Sequence, residues 1–91
     1  MKIPKRLKIG GHTYNVEMVD RVETDPGEDN LGDCEWKLNR IRIKKGLPHT
    51  QTEETFFHEA IHALWTDKKE DEVNQMAFKI YAFLKDNNLL R

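Results

Sequence analysis

The spacing of the apolar residues changes once along this chain, and that change constrains the fold more than any other feature. Between residues 5 and 45 the period is two. Leu7 and Ile9, then Tyr14, Val16 and Met18, alternate with polar residues. Cys34, Trp36 and Leu38 do the same, and so do Ile41 and Ile43. Such alternation belongs to strands with one face on a core. After Gly46 and Pro48 the period becomes three to four. Residues 56–65 contain no helix breaker, and Val73, Met76, Ala77, Ile80, Phe83 and Leu84 form a helical stripe. Strands followed by helices, without interleaving, predict an α+β fold.

Turn and cap residues divide these two halves. Gly10-Gly11 reads as a tight turn between strands over 5–9 and 12–19. The stretch 24–33 holds Asp25-Pro26-Gly27, Asn30 and Gly32 and reads as a loop. Asn39-Arg40 is a further turn candidate. Thr50 and Glu53 have capping-box spacing for a helix over 50–66, and Asp67 with Glu70 has it for one over 67–87. The expectation is a single domain over 1–91. About four antiparallel or mixed strands fill 5–45, and an antiparallel helix pair follows. Phe56, Phe57, Trp65, Met76 and Phe83, at helical spacing, read as core.

Composition removes several function classes. Ninety-one residues leave room for one small core. Fifteen Lys+Arg against 16 Asp+Glu give a formal charge of -1, so no nucleic-acid partner is expected. The basic stretch Lys37, Arg40, Arg42, Lys44 and Lys45 reads as the solvated face of a sheet. No run approaches the ~18–20 apolar residues of a membrane span, and no apolar segment follows the basic N-terminus. The expectation is a cytoplasmic protein with no membrane partner. Cys34, the single cysteine, excludes an intrachain disulfide and a cysteine-rich zinc site. It reads as a small half-buried strand residue.

Chemistry concentrates in His58-Glu59-Ala60-Ile61-His62, an HExxH sequence. Residues four apart share a helical face, so His58 and His62 can bind one zinc ion. Glu59 is about 60° round the helix from His62 and reaches the same side, as a general base rather than a ligand. A third ligand is needed. The longer HExxH form with Gly and a third His is absent, because Trp65 and Lys68 occupy those positions. His12, His49, Asp67, Glu70, Asp71 and Glu72 remain. If the chain reverses near Asp67, Glu72 stands at the height of His62 in the helix pair. Asp71 falls outside. Glu70 and Glu72 flank a stripe centred on Val73 and Ile80, and periodicity does not choose between them. The expected cap gives Glu70 another task.

Phe56-Phe57-His58-Glu59-Ala60-Ile61-His62-Ala63-Leu64, followed by Glu72-Val73-Asn74-Gln75-Met76-Ala77, resembles the gluzincin branch of zinc metallopeptidases. More closely, it is similar to ImmA/IrrE-type peptidases and small phage-associated gluzincin-like proteins. That resemblance is specific over residues 52–78. It implies a minimal zincin-like fold, Zn2+ held by His58, His62 and Glu72, and Glu59 as general base and acid. The implied activity is that of a zinc metalloendopeptidase acting on a peptide or protein substrate. The alternative is a non-catalytic zinc-binding interaction module of phage or mobile-element origin. For oxyanion support, His12, Tyr14, His49 and Tyr81 were the available side chains, and none stands out. The strand at Ile41-Arg42-Ile43 is a candidate edge for pairing with an extended peptide.

Overall fold

The computed structural model describes residues 1–90. Strand β1 (Arg6–Ile9) and strand β2 (His12–Val19) form an antiparallel hairpin. Ile9 pairs with His12, so Gly10 and Gly11 alone make the turn. Both have positive φ, 59° and 81°, as a two-residue turn matched to strand twist requires. Strand β3 (Gly32–Glu35) runs antiparallel to strand β4 (Arg40–Lys44), and β4 runs parallel to β2. The sheet order is β1-β2-β4-β3. The expected α+β class and four-strand mixed sheet are therefore present. Helix α1 (His49–Leu64) and helix α2 (Glu70–Asp86) follow.

Two strand expectations are corrected. The third strand stops at Glu35 rather than continuing through Trp36 and Leu38. Glu35 pairs with Arg40, so only four residues remain to reverse the chain. Trp36–Leu38 forms a 3-10 helix, closed by Asn39 at φ 49°. The strand at Ile41–Ile43 is also not an edge. It lies between β2 and β3, and β3 carries the free edge beside the helices.

The sheet buries one face. Tyr14, Val16, Ile41 and Ile43 pack with Phe56 and Ala63 of α1. The other face carries cross-strand ion pairs, Arg42 with Asp33 and Arg40 with Glu35, so the basic stretch is neutralised locally. The loop between β2 and β3 is anchored by Val22, which is fully buried and bridges to Asn30. The alternation pattern had not marked Val22.

Helix α2 packs on α1 rather than on the sheet, so only one side of it is covered. Its buried residues are Val73, Ala77 and Tyr81. Ile80 and Phe83, which the stripe had placed inside, are 38% and 61% exposed. The helix is rotated so that the Tyr81 hydroxyl donates to Glu53 Oε1 at 2.8 Å in a buried pair. The Glu53 carboxylate also accepts from the Met1 ammonium at 2.7 Å. Glu53 is thus a buried anchor between elements. The capping box expected from Thr50 does not form: the cap position is Pro48, with no side-chain hydrogen bond.

Burial opposes ionisation of Glu53, but its hydrogen bonds from the Met1 ammonium and Tyr81 outweigh that and hold its pKa below the ordinary value. Burial, together with Glu53, pushes the Tyr81 phenol up to about 12. The folded pKa of Glu53 is depressed, so its contribution to stability is complete above the unfolded value of 4.5. It is lost as pH falls through the folded pKa. Tyr81→Phe removes a hydrogen bond to a buried carboxylate and should lower stability by about 1.5–3 kcal/mol at pH 7. Urea denaturation at pH 7 and at pH 3 measures both, and the deficit of the variant should shrink at the lower pH.

Candidate metal centre

Helix α1 carries Gln51, Thr55, His58, Glu59 and His62 along the side that faces β3 and the start of α2. His58 and His62 are one turn apart, and their Nε2 atoms lie 3.2 Å from each other. Two bonds of about 2.0–2.1 Å to one tetrahedral zinc would set two nitrogens about 3.3 Å apart. The ligand atoms of His58, Glu59 and His62 all lie within 4.8 Å of one another, a group able to hold a metal ion. A carboxylate completes the convergence. Glu70 Oε1 is 2.7 Å from His58 Nε2, and Glu70 Oε2 is 2.8 Å from His62 Nε2.

Glu70, not Glu72, thus occupies the place beside the imidazoles. The start of α2 explains the exchange. Asp67 does not cap it, because Lys68 N–H turns back to Trp65 O at 3.3 Å and the chain stays in a turn. Lys69 is the cap residue, in extended conformation. Its backbone N–H donates to Glu72 Oε1 at 3.1 Å, which ties Glu72 to the cap. Glu70 becomes the first helical residue. With the buried face centred on Ala77, Glu70 lies roughly 20° from that centre and Glu72 roughly 140° away, at 100° per residue. The remaining candidates stand elsewhere. His49 is 3.5 Å from Glu53, His12 is exposed on β2, and Asp67 and Asp71 are exposed. Tyr14 and Tyr81 are core residues.

Three neighbours support the cluster. Gly32 of β3 approaches α1 so closely that an added Cβ would sit 2.6 Å from Thr55 Cγ2 and 3.3 Å from Glu59 Cγ. The Trp36 indole N–H donates to the backbone oxygen of His62 at 3.0 Å, satisfying one of the last carbonyls of α1. Asn74, one turn after Glu70, lines the same side. Asn74 belongs to the segment that carries the family resemblance, whereas Gly32 and Trp36 read only as loop and strand residues.

Burial, helped by His62 and opposed by Glu70, holds the His58 imidazole below its ordinary pKa and favours the neutral, ligating form. Burial first, and then the Glu70 and Asp33 carboxylates, pushes Glu59 up to about 8. Burial likewise pushes the Cys34 thiol up to about 12, with Glu59 adding to it, which disfavours the thiolate.

A groove crosses the cluster. One half, about 320 Å³, runs past Gln51, Glu54, Thr55 and Asn74. The other, about 350 Å³, runs past Asp33, Cys34 and Trp36. Gly32, Glu59 and Glu70 border both. No helix among the described residues is long and apolar enough to cross a membrane.

The chain matches no known protein family, no curated protein and no solved structure. The functional reading therefore stands on the geometry of this site and on its motif.

Proposed function

We propose that the chain is a zinc-dependent metallopeptidase that hydrolyses peptide bonds in the groove across the histidine pair. The observation that carries this reading is the convergence of two imidazole nitrogens and the Glu70 carboxylate beside a buried Glu59. The donor set fits zinc. Two neutral histidines and one carboxylate are a common catalytic zinc set, and the spacing of the nitrogens agrees with it. His58, His62 and Glu70 would hold the ion. Zinc held there supplies Lewis acidity, which makes water a nucleophile near neutral pH and polarises a carbonyl.

The protein's own residues do the rest. Glu59 borders both halves of the groove, so it reaches a water and a scissile amide from one position. It accepts the proton of the attacking water and returns it to the departing amine nitrogen. Strand β3 is the sheet edge beside Glu59, where an extended peptide could add by main-chain hydrogen bonds.

Metal analysis of the purified protein should find about one zinc per chain, lost in His58→Ala. Less than half an equivalent, unchanged by that substitution, overturns zinc binding. Glu59→Gln should retain the metal and lower cleavage of a peptide library by about 100- to 10,000-fold. Equal cleavage by both proteins identifies a contaminant.

One observation favours a second reading, a zinc-binding interaction module without catalysis. None of the side chains considered for oxyanion support (His12, Tyr14, His49, Tyr81) lines the groove. A zinc-loaded protein that cleaves no peptide, and melts at a much lower temperature after chelation, would establish that module instead.

A further inference from the structure

The two halves of the groove differ in chemistry. Among the described residues, no lysine or arginine lines either one. The carboxylate in the β3 half, Asp33, is paired with Arg42 on the outer face of the sheet. The half towards the N-terminal end of α1 carries Glu54 with the amides of Gln51 and Asn74, beside the apolar Leu31. Glu54 and His58 are four residues apart on α1, and Glu70 and Asn74 are four apart on α2. The polar lining therefore continues from the cluster itself for one turn along both helices. Glu59, only 6% exposed, borders this half of the groove as it does the other.

That lining discriminates between side chains. An anionic one would meet Glu54 with no lysine or arginine beside it among the described residues. An apolar one would strip water from Glu54, Gln51 and Asn74 without replacing their hydrogen bonds. A cationic one satisfies the carboxylate and has donors for both amide oxygens.

We propose that this half of the groove receives a lysine or arginine side chain of the peptide, with Glu54 as the specificity-determining residue and Gln51 and Asn74 completing the pocket. The inference rests on the peptidase reading for the location of the peptide, but not on turnover. Glu54 is exposed, so the expected preference is modest, about fivefold over a neutral side chain. It should shrink as salt is raised.

The test uses three fluorescent peptides that differ at one position, as Lys, Gln or Glu, scanned across the sequence. Binding is measured by anisotropy to zinc-loaded Glu59→Gln protein, and cleavage is measured with the wild type. At one position the Lys peptide should bind about fivefold tighter than the Gln peptide, and the Glu peptide weakest. Adding Glu54→Gln should bring the Lys-to-Gln ratio to about one, and Glu54→Lys should invert it. Equal affinities at every position, or a preference that survives Glu54→Gln, overturns the proposal. Selective binding without cleavage upholds this pocket and removes the peptidase reading. Cleavage without charge preference does the reverse, and the absence of both binding and cleavage overturns both.

Discussion

Glu70→Ala should weaken zinc binding by more than about 100-fold, whereas Glu72→Ala should leave it within about threefold. A ligand should matter more than the outer partners of a metal site, whose loss alone costs roughly 10- to 100-fold. Both Glu70 oxygens stand against the histidines, at 2.7 and 2.8 Å. Glu72 has a different task. Its carboxylate accepts the Lys69 N–H at the start of α2, so Glu72→Ala should lower stability by about 0.5–1 kcal/mol through the cap. Competition against a chelating dye gives the affinities, and urea denaturation of the metal-free proteins gives the stabilities. Zinc loss in Glu72→Ala with retention in Glu70→Ala would return the ligand role to Glu72.

Gly32→Ala is expected to destabilise the protein by about 1–3 kcal/mol, although it adds one methyl group. Its Cβ would lie 2.6 Å from Thr55 Cγ2 and 2.9 Å from the Arg42 carbonyl oxygen. Neither obstacle is a flexible chain end. Thr55 is buried on α1 with its hydroxyl bonded to Gln51 O at 2.7 Å, and the carbonyl belongs to the central strand β4. Relief therefore requires β3 to move away from α1, and Glu59 Cγ at 3.3 Å moves with that contact. Thermal and urea denaturation read the stability. Affinity for zinc provides a second readout, because the strand approaches the helix at the HExxH residues. A variant as stable as the wild type would show that β3 has slack at this point.

The correctly read parts of the chain are those set by local spacing. Gly10-Gly11 fixes a two-residue hairpin from its own φ preferences, and β1 and β2 emerged on either side of it. HExxH places two histidines on one face of any helix that contains it, and α1 does contain it. The α+β class followed from a single change of period.

The misread parts depend on rotation and on caps. The stripe of α2 was counted through Ile80 and Phe83, but the buried residues are Val73, Ala77 and Tyr81. A hydropathy pattern favours Phe83 over a tyrosine. The buried partner Glu53, contributed by another helix, reverses that order. Tyr81 lies nine residues after Glu72, half a turn away, so burying Tyr81 already directs Glu72 outward. Glu72 as a ligand and Tyr81 in the core exclude each other, and Tyr81 is the buried residue.

The sequence by itself determined the class of fold, the hairpin, the helix that carries His58, Glu59 and His62, and the restriction of any metal site to histidine and carboxylate. These follow from backbone periodicity and from residue chemistry, which act over a few neighbours. Tertiary structure decided which glutamate faces the histidines, which strand forms the sheet edge beside the helices, and how closely that edge approaches Glu59. Each depends on a contact between segments distant in sequence: Tyr81 on Glu53, β4 between β2 and β3, and Gly32 against Thr55. Contacts of that kind leave no period in the chain, because both partners must be in place before either conformation is favoured.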